Sequence, residues 1–361
     1  MATAGAVLLV FVLAPVILCG NALVLAAVYR YKRLRTPSNY LLSSLAASDL
    51  GTGVFLPLGM YLELSGGPGA ATSLCLAPYC VAICLCSASV LVMAAIAVDR
   101  FTSLAQPLRY NNLITHTSVE RYLVAFWLYA LAVGFSPLVY NECFAQPRNH
   151  GCSFLSLVDA PVQLFLFCTV YGPSAVVLLA CYCYVYVVAR SHARAIYSVE
   201  LSLRQHHDSH SRYGLTLAIT VGLFLCLWLP FQALTVGHAC PQVCMLLDVF
   251  RGSNLLRSWS GIYLSLPIFA SSALNPWVYG YRNSEVRLSV QRLLDDLLSR
   301  LGFASPRYNC PDLLTTNYDH AEMNSFASNV RLCAVSPNRT TLLLLPSRNE
   351  TAEGEHTQEL D

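Results

Sequence analysis

Seven stretches of this 361-residue chain are apolar over about the length of a membrane span and nearly free of charge, and few folds accommodate that. They fall at 6–29, 40–62, 75–98, 122–140, 161–189, 213–237 and 259–281. A helix needs roughly 20 mostly apolar residues to cross a hydrocarbon core of ~30 Å. No water hydrogen-bonds the backbone there, so helices are the spanning structure these runs predict. The expected fold is an all-α membrane protein, a bundle of seven transmembrane helices.

Composition agrees. Charged residues make up 12% of the chain, against about 25% in a soluble domain. The net charge is +2 and no basic stripe interleaves with aromatics, which argues against a nucleic-acid partner. Most of the 15 cysteines lie inside apolar runs such as "CVAICLC", where a thiol acts as a small hydrophobe. The first run is too long for a signal-peptide core and passes without a cleavage-like site into "RYKRLR", so it is expected to be retained.

Lys and Arg in short loops favour the cytoplasmic side. Arg30, Lys32, Arg33 and Arg35, then Arg100, Arg109 and Arg121, then Arg190, Arg194, Arg204 and Arg212, then Arg282, Arg287 and Arg292 mark one side. Arg148, Arg251 and Arg257 are nearly all the other side has. This predicts an extracellular amino terminus and a cytoplasmic tail. After the seventh span, Val286, Leu288, Val290, Leu293, Leu294 and Leu297 recur mainly on one face of a helix over 283–302, as in a helix lying in the interface. The polar segment 303–361 is expected to be a disordered tail, leaving 1–302 as the receptor-like domain. The sequons at Asn338 and Asn349 lie in that tail and are expected to carry no glycan.

Polar side chains inside hydrocarbon cost several kcal/mol, so each marks a functional hypothesis. Here they are Asn21 after Gly20, Asp49 in "SLAASDL", Asp99-Arg100-Phe101 closing the third span, Trp127 in the fourth, "CLWLP" (226–230) in the sixth, and Asn275-Pro276-Trp277-Val278-Tyr279 in the seventh. In that order on those spans, they resemble the rhodopsin-like (class A) G-protein-coupled receptors over roughly residues 6–300. The resemblance implies a plasma-membrane receptor that binds a small-molecule agonist and activates a heterotrimeric G protein, with arrestin as a further partner. It implies a switch made of Asp99, Arg100, Trp228, Pro230, Asn275, Pro276 and Tyr279, with Asp99 neutralising Arg100 in the off state. It implies a sodium pocket of Asp49, Ser89, Ser271, Ser272 and Asn275, where oxygen ligands suit a hard cation. No other metal and no cofactor are expected. Where related receptors place an acid at the inner end of the sixth helix, His210 stands near and Asp208 is off register, which implies a weak clamp and basal signalling. Cys75–Cys152 matches the family's bridge, and Cys240 and Cys244 suit a small closed ring. Cys143 has no obvious partner and Cys310 is a palmitoylation candidate.

Mapped through the same landmarks, the ligand site takes Ala82, Ile83 and Cys86 from the third span and Phe165 and Thr169 from the fifth. Trp228, Phe231, Gln232 and Thr235 come from the sixth, Ile262, Ser265 and Phe269 from the seventh, and Phe154 from the second outer loop. Ala82 replaces the carboxylate of amine receptors and Phe269 the lysine of visual pigments, which disfavours both ligand classes. "PLRYNNLIT", "CSF" and "LAITVGLFLCLWLP" resemble the adenosine receptors. "CSFLSLVDAPVQLFLFC" and "YRNSEVRLSVQRLL" look equally like the lipid-amide (glucose-dependent insulinotropic) receptor. Of four adenosine contacts in that family, Phe154 matches, whereas Leu155, Thr235 and Phe269 replace the acid, the Asn and the His. Losing hydrogen-bonding partners is decisive for a site that selects by them. The expectation is therefore a lipid-like agonist, a lipid amide or lysophospholipid, raising cAMP through the stimulatory G protein. The alternatives are a constitutively active receptor without a natural ligand and an adenosine-type nucleoside receptor. An intramembrane enzyme is not expected, because the histidines lie in loops, tail or span ends. A transporter is not expected either, for want of internal repeats.

Overall fold

The computed structural model of the chain describes residues 2–65, 72–144, 154–203, 211–239, 265–278, 283–302, 334–336 and 339–341. In chain order the helices are α1 (Ala2–Arg30), α2 (Pro37–Ser65), α3 (Thr72–Ala105), α4 (Tyr110–Leu113), α5 (His116–Gly134), α6 (Ser136–Phe144), α7 (Phe154–Leu157) and α8 (Ala160–Leu166). A π turn over Phe167–Tyr171 leads into α9 (Gly172–Leu203), followed by α10 (Ser211–Ala239), α11 (265–278) and α12 (Ser284–Arg300). Each of the seven expected apolar runs coincides with helix. Ala4–Arg30, Pro37–Leu64, Cys75–Ala105, His116–Phe144 and Ala160–Val188 are each long and apolar enough to cross a membrane, and Gly222–Gly237 is a shorter apolar helix.

The chain divides into two units, Met1–Leu294 and Asp295–Asp361. The described part of the second comprises the last turns of α12 and two three-residue strands, β1 (Ala334–Ser336) and β2 (Arg339–Thr341), paired antiparallel. The rest of the expected disordered tail lies outside the described residues.

Prolines decide where the spans bend. Each removes the N–H that would bind the carbonyl four residues earlier, and in hydrocarbon the freed carbonyl needs another donor. Three are supplied by side chains. Pro276 frees the Ser272 carbonyl, which accepts from Asn21 Nδ2 at 3.1 Å. Pro173 frees the Thr169 carbonyl, which accepts from the Tyr129 hydroxyl at 3.1 Å. Pro137 frees the Val133 carbonyl, which accepts from the Ser136 hydroxyl at 2.6 Å. The break between α5 and α6 and the π turn before α9 sit at two of these prolines.

Small residues set helix spacing. α3 and α5 meet through Cys84, Ala88 and Ala130, all buried, with Trp127 packed against them. A methyl group on Gly134 would lie 2.7 Å from the Cys84 Cα and 2.8 Å from its backbone nitrogen. A larger cluster joins Leu45, Val92, Ile96, Tyr171, Phe224, Trp228 and Ile268 across α2, α3, the π turn, α10 and α11.

At the Arg100 end, Asn283 caps α12 by accepting from the Glu285 and Val286 backbone N–H groups at 3.1 and 3.3 Å. Its amide also donates to Asn39 Oδ1 at 3.4 Å, and Arg33 pairs with Glu285 at 3.0 Å. Val286 is buried against Ala27, Val28 and Leu34. Leu288, expected on the apolar face, is 42% exposed, because two residues along a helix is about half a turn from Val286.

Gly134→Ala should lower the thermal stability of the purified chain by about 1–3 kcal/mol, the usual cost of overpacking. Gly222→Ala, which meets nothing within 4 Å, should leave the melting temperature unchanged.

Candidate functional site

Two polar clusters and one cavity lie within the bundle. Asp49, on α2, has no solvent exposure. Its Oδ1 accepts from the Ser89 hydroxyl of α3 at 3.1 Å and from the Ser272 hydroxyl of α11 at 2.8 Å. Its Oδ2 accepts from Asn275 Nδ2 at 2.7 Å. Four of the five residues expected around a sodium ion therefore meet at one carboxylate. The fifth, Ser271, does not join them. Its hydroxyl donates to the Ile268 carbonyl and accepts from Trp228 Nε1 at 3.2 Å, because the residue before Ser272 points about 100° away around the helix.

The second cluster closes α3. Asp99 is 1% exposed, and its carboxylate accepts from the Ser38 hydroxyl at 3.0 and 3.1 Å and from the Tyr110 hydroxyl at 2.7 Å. Ser38 and Tyr110 are themselves 2.9 Å apart. The same carboxylate holds Arg100 at 3.2 Å. Burial raises the Tyr110 phenol above its ordinary pKa; the Ser38 hydrogen bond opposes this and the Asp99 carboxylate adds to it. The protonated form is favoured, so Tyr110 remains a donor to Asp99 throughout the neutral range. Neither Ser38 nor Tyr110 was singled out in the sequence, since both sit outside the apolar runs. His210 and Asp208, on which the weak clamp was argued, lie outside the described residues, as do Tyr279, Cys152, Cys240, Cys244, Ile262 and Cys310. Cys75 is disulfide-bonded.

The cavity opens between α2, α3, α7, the π turn, α10 and α11 and has a volume of about 200 Å³. Ala82, Ile83, Cys86, Phe154, Trp228, Phe231, Gln232, Thr235, Ser265 and Phe269 line it, as expected. Phe165 and Thr169 do not. Phe165 is 44% exposed, and the Thr169 hydroxyl is turned back to the Phe165 carbonyl at 2.7 Å. Gln163, Leu166, Val170 and Tyr171 take their places. The cause is the π turn, whose extra residue rotates everything before Pro173 by about one position relative to regular α-helix counting. Tyr171 stacks on Trp228 at 6.2 Å and on Phe224 at 5.8 Å.

The sequence also left out the whole α2 wall: Thr52, Phe55, Leu56, Gly59, Met60 and Glu63. Glu63 Oε2 accepts from the Tyr79 hydroxyl at 2.6 Å and from the Phe154 backbone N–H at 3.0 Å. The Phe154 ring meets Tyr79 edge-on at 5.8 Å and Phe231 at 5.6 Å. An acid near the end of an apolar run was the available signal. Gln163, 4% exposed, donates through Nε2 to the Val158 carbonyl at 2.7 Å, and its Oε1 is the one buried side-chain oxygen without a partner among the described residues.

A cavity between spanning helices, an Asp-Arg pair closing the third helix, and a polar core linking them define a seven-helix membrane receptor. The profile of the 7 transmembrane receptor (rhodopsin family) matches residues 20–279, and the chain belongs to that family. It is a multi-pass membrane receptor and not an enzyme. Adenosine receptor A2b of Homo sapiens is 29% identical over 321 residues, covering 81% of this chain and 90% of the relative. Adenosine receptor A2a of Homo sapiens is 29% identical over 301 residues, 78% of this chain and 70% of that one. Adenosine receptor A2b of Rattus norvegicus is 28% identical over 314 residues, 80% and 89% respectively.

Removing the Tyr110 hydroxyl should loosen the grip of Asp99 on Arg100, since a hydrogen bond to a charged group contributes about 1.5–3 kcal/mol. Tyr110→Phe is expected to raise ligand-free nucleotide exchange on a G protein several-fold at equal surface expression. Basal exchange equal to wild type would show that Ser38 alone holds the carboxylate.

Proposed function

We propose that this receptor detects an amphipathic, lipid-like agonist and activates the stimulatory G protein, raising cAMP at the plasma membrane. The observation that carries the reading is the cavity wall: Ile83, Leu166, Val170, Phe154, Trp228, Phe231, Ile268 and Phe269 present hydrocarbon and aromatic faces. An apolar lining with few polar groups suits a ligand whose bulk is hydrocarbon. Where the adenosine receptors resembled by this chain bind through an Asn and a His, Thr235 and Phe269 line the cavity. Thr235 spends its hydroxyl on the Gln232 carbonyl at 3.0 Å. A nucleoside would leave its polar groups unpaired here, at about 1–3 kcal/mol each. A lipid amide fits better than a nucleoside.

The route from cavity to G protein follows the contacts. A ligand pressing on Trp228 loads the Tyr171–Trp228–Phe224 stack and the hydrogen bond to Ser271. Ser271 adjoins Ser272, which binds Asp49. Pro230 and Pro276 give α10 and α11 places to bend. Outward movement of α10 would expose Arg100 to the G protein. The amino terminus is taken as extracellular and the tail as cytoplasmic, from the arginine distribution.

Asp49, Ser89, Ser272 and Asn275 offer a carboxylate, two hydroxyls and an amide within one buried cluster, a donor set suited to sodium. Bound sodium would supply the positive charge that this carboxylate lacks, and so favour the arrangement in which α2, α3 and α11 stay together. A receptor active without ligand is the second reading. It is favoured by Arg100 being 31% exposed and held by its own neighbour.

Cells expressing the chain at graded levels, beside Arg100→Ala, decide among these. N-oleoylethanolamide should raise cAMP, adenosine should not, and Arg100→Ala should abolish the response; a clean adenosine response would overturn the lipid reading. Replacing sodium chloride by choline chloride should tighten agonist binding several-fold in the wild type and leave Asp49→Asn unchanged. Equal sodium sensitivity in both would remove the ion from the Asp49 cluster.

A further inference from the structure

Among the described residues that line the cavity, Glu63 is the single charged side chain; no Lys, Arg or His joins it. It stands two residues before the end of α2, remote along the chain from the floor at Trp228. Its carboxylate ties α2 to α3 through Tyr79 and to the backbone of Phe154, the ring that rests on Phe231. The other polar feature of the wall is Gln163, 96% buried by its 4% exposure, whose Oε1 finds no donor. Both groups are acceptors. The cavity thus combines a hydrocarbon floor with an end that supplies negative charge and lone pairs.

We infer that Glu63 is the head-group selector of this receptor: it admits amphipaths whose head is a hydrogen-bond donor or a cation, and rejects those ending in carboxylate or phosphate. The inference rests on the lipid-like reading above and narrows it, favouring an amide or amine head over an anionic lysophospholipid. The physical reason is asymmetry. A donor head replaces its water with a charge-assisted hydrogen bond. An anionic head brought beside Glu63 loses its water and meets a like charge in a medium of low dielectric. Gln163 Oε1 adds a second acceptor without adding charge, which suits a head carrying two donors, as an ethanolamide does with its N–H and O–H.

The test uses three C18:1 probes with one tail and different heads: oleylamine, N-oleoylethanolamide and oleic acid. The full chain in zwitterionic nanodiscs is titrated with each, reading half-maximal thermal stabilisation for wild type, Glu63→Gln and Tyr79→Phe. Glutamine keeps an oxygen for the Tyr79 and Phe154 donors, and Tyr79→Phe keeps the charge while loosening the clamp. Wild type should bind the amine and the ethanolamide at least about tenfold more tightly than the acid, the size of one charge-assisted contact. Glu63→Gln should weaken the amine about tenfold, weaken the ethanolamide less, and strengthen the acid. Tyr79→Phe should keep the wild-type order. A Glu63→Gln chain that shifts all three probes by one common factor has lost only a structural contact, and the inference fails. Wild type binding all three without preference overturns the inference and leaves the lipid reading intact. No stabilisation by any probe overturns both.

Discussion

A carboxylate with no solvent exposure sits between three spanning helices, and much of the bundle is arranged to make that tolerable. Charge in hydrocarbon costs several kcal/mol unless it is paired or hydrogen-bonded. Asp49 therefore draws a serine from α3 and a serine and an asparagine from α11 onto one side chain of α2. Asn21 extends the network to α1 by binding the Ser272 carbonyl that Pro276 releases. Four helices are joined by one satisfied demand. Removing a single partner would leave the rest buried and unpaired, which gives such a cluster two discrete states and suits it to a switch.

The same rule operates on the backbone. Proline gives a spanning helix a bend by removing a hydrogen bond, and the bend persists because another side chain accepts the debt. Tyr129 does so for Thr169, and the π turn that accompanies it turns Val170 and Tyr171 into the cavity. The ligand site and the fifth span's irregularity are thus one feature. Tyr171 stacks on Trp228, and Trp228 bonds to the neighbour of an Asp49 ligand, so the cavity floor adjoins the polar core without an intervening layer.

Legibility followed length and chemistry. The seven spans could be read because hydrocarbon thickness imposes a long, charge-poor run, a requirement few other elements meet. Asp49, Asp99, Arg100 and Asn275 could be read because a polar group in such a run is costly and rare. Most cavity residues on α3, α10 and α11 were placed by counting regular turns from these landmarks. Counting failed on the fifth span, where one extra residue in a turn moves Phe165 outward and Leu166 inward. The α2 wall was missed for a different reason. Its residues are aliphatic or aromatic and look the same whether they face lipid, core or cavity, and Glu63 at a span end looks like an ordinary boundary charge.

The order and number of membrane helices, the residues with an electrostatic reason to be inside, and the apolar character of the pocket all follow from the chain read as letters. They depend on local length, charge and side-chain chemistry. Which serine reaches Asp49 and which turns to Trp228, whether Tyr110 meets Asp99 from eleven residues away, and that Glu63 grips the loop ring Phe154 ninety-one residues later depend on how helices rotate and approach. Those rotations are set by contacts such as Gly134 against Cys84 and by the π turn before Pro173, and both arise from packing between helices that no local pattern encodes.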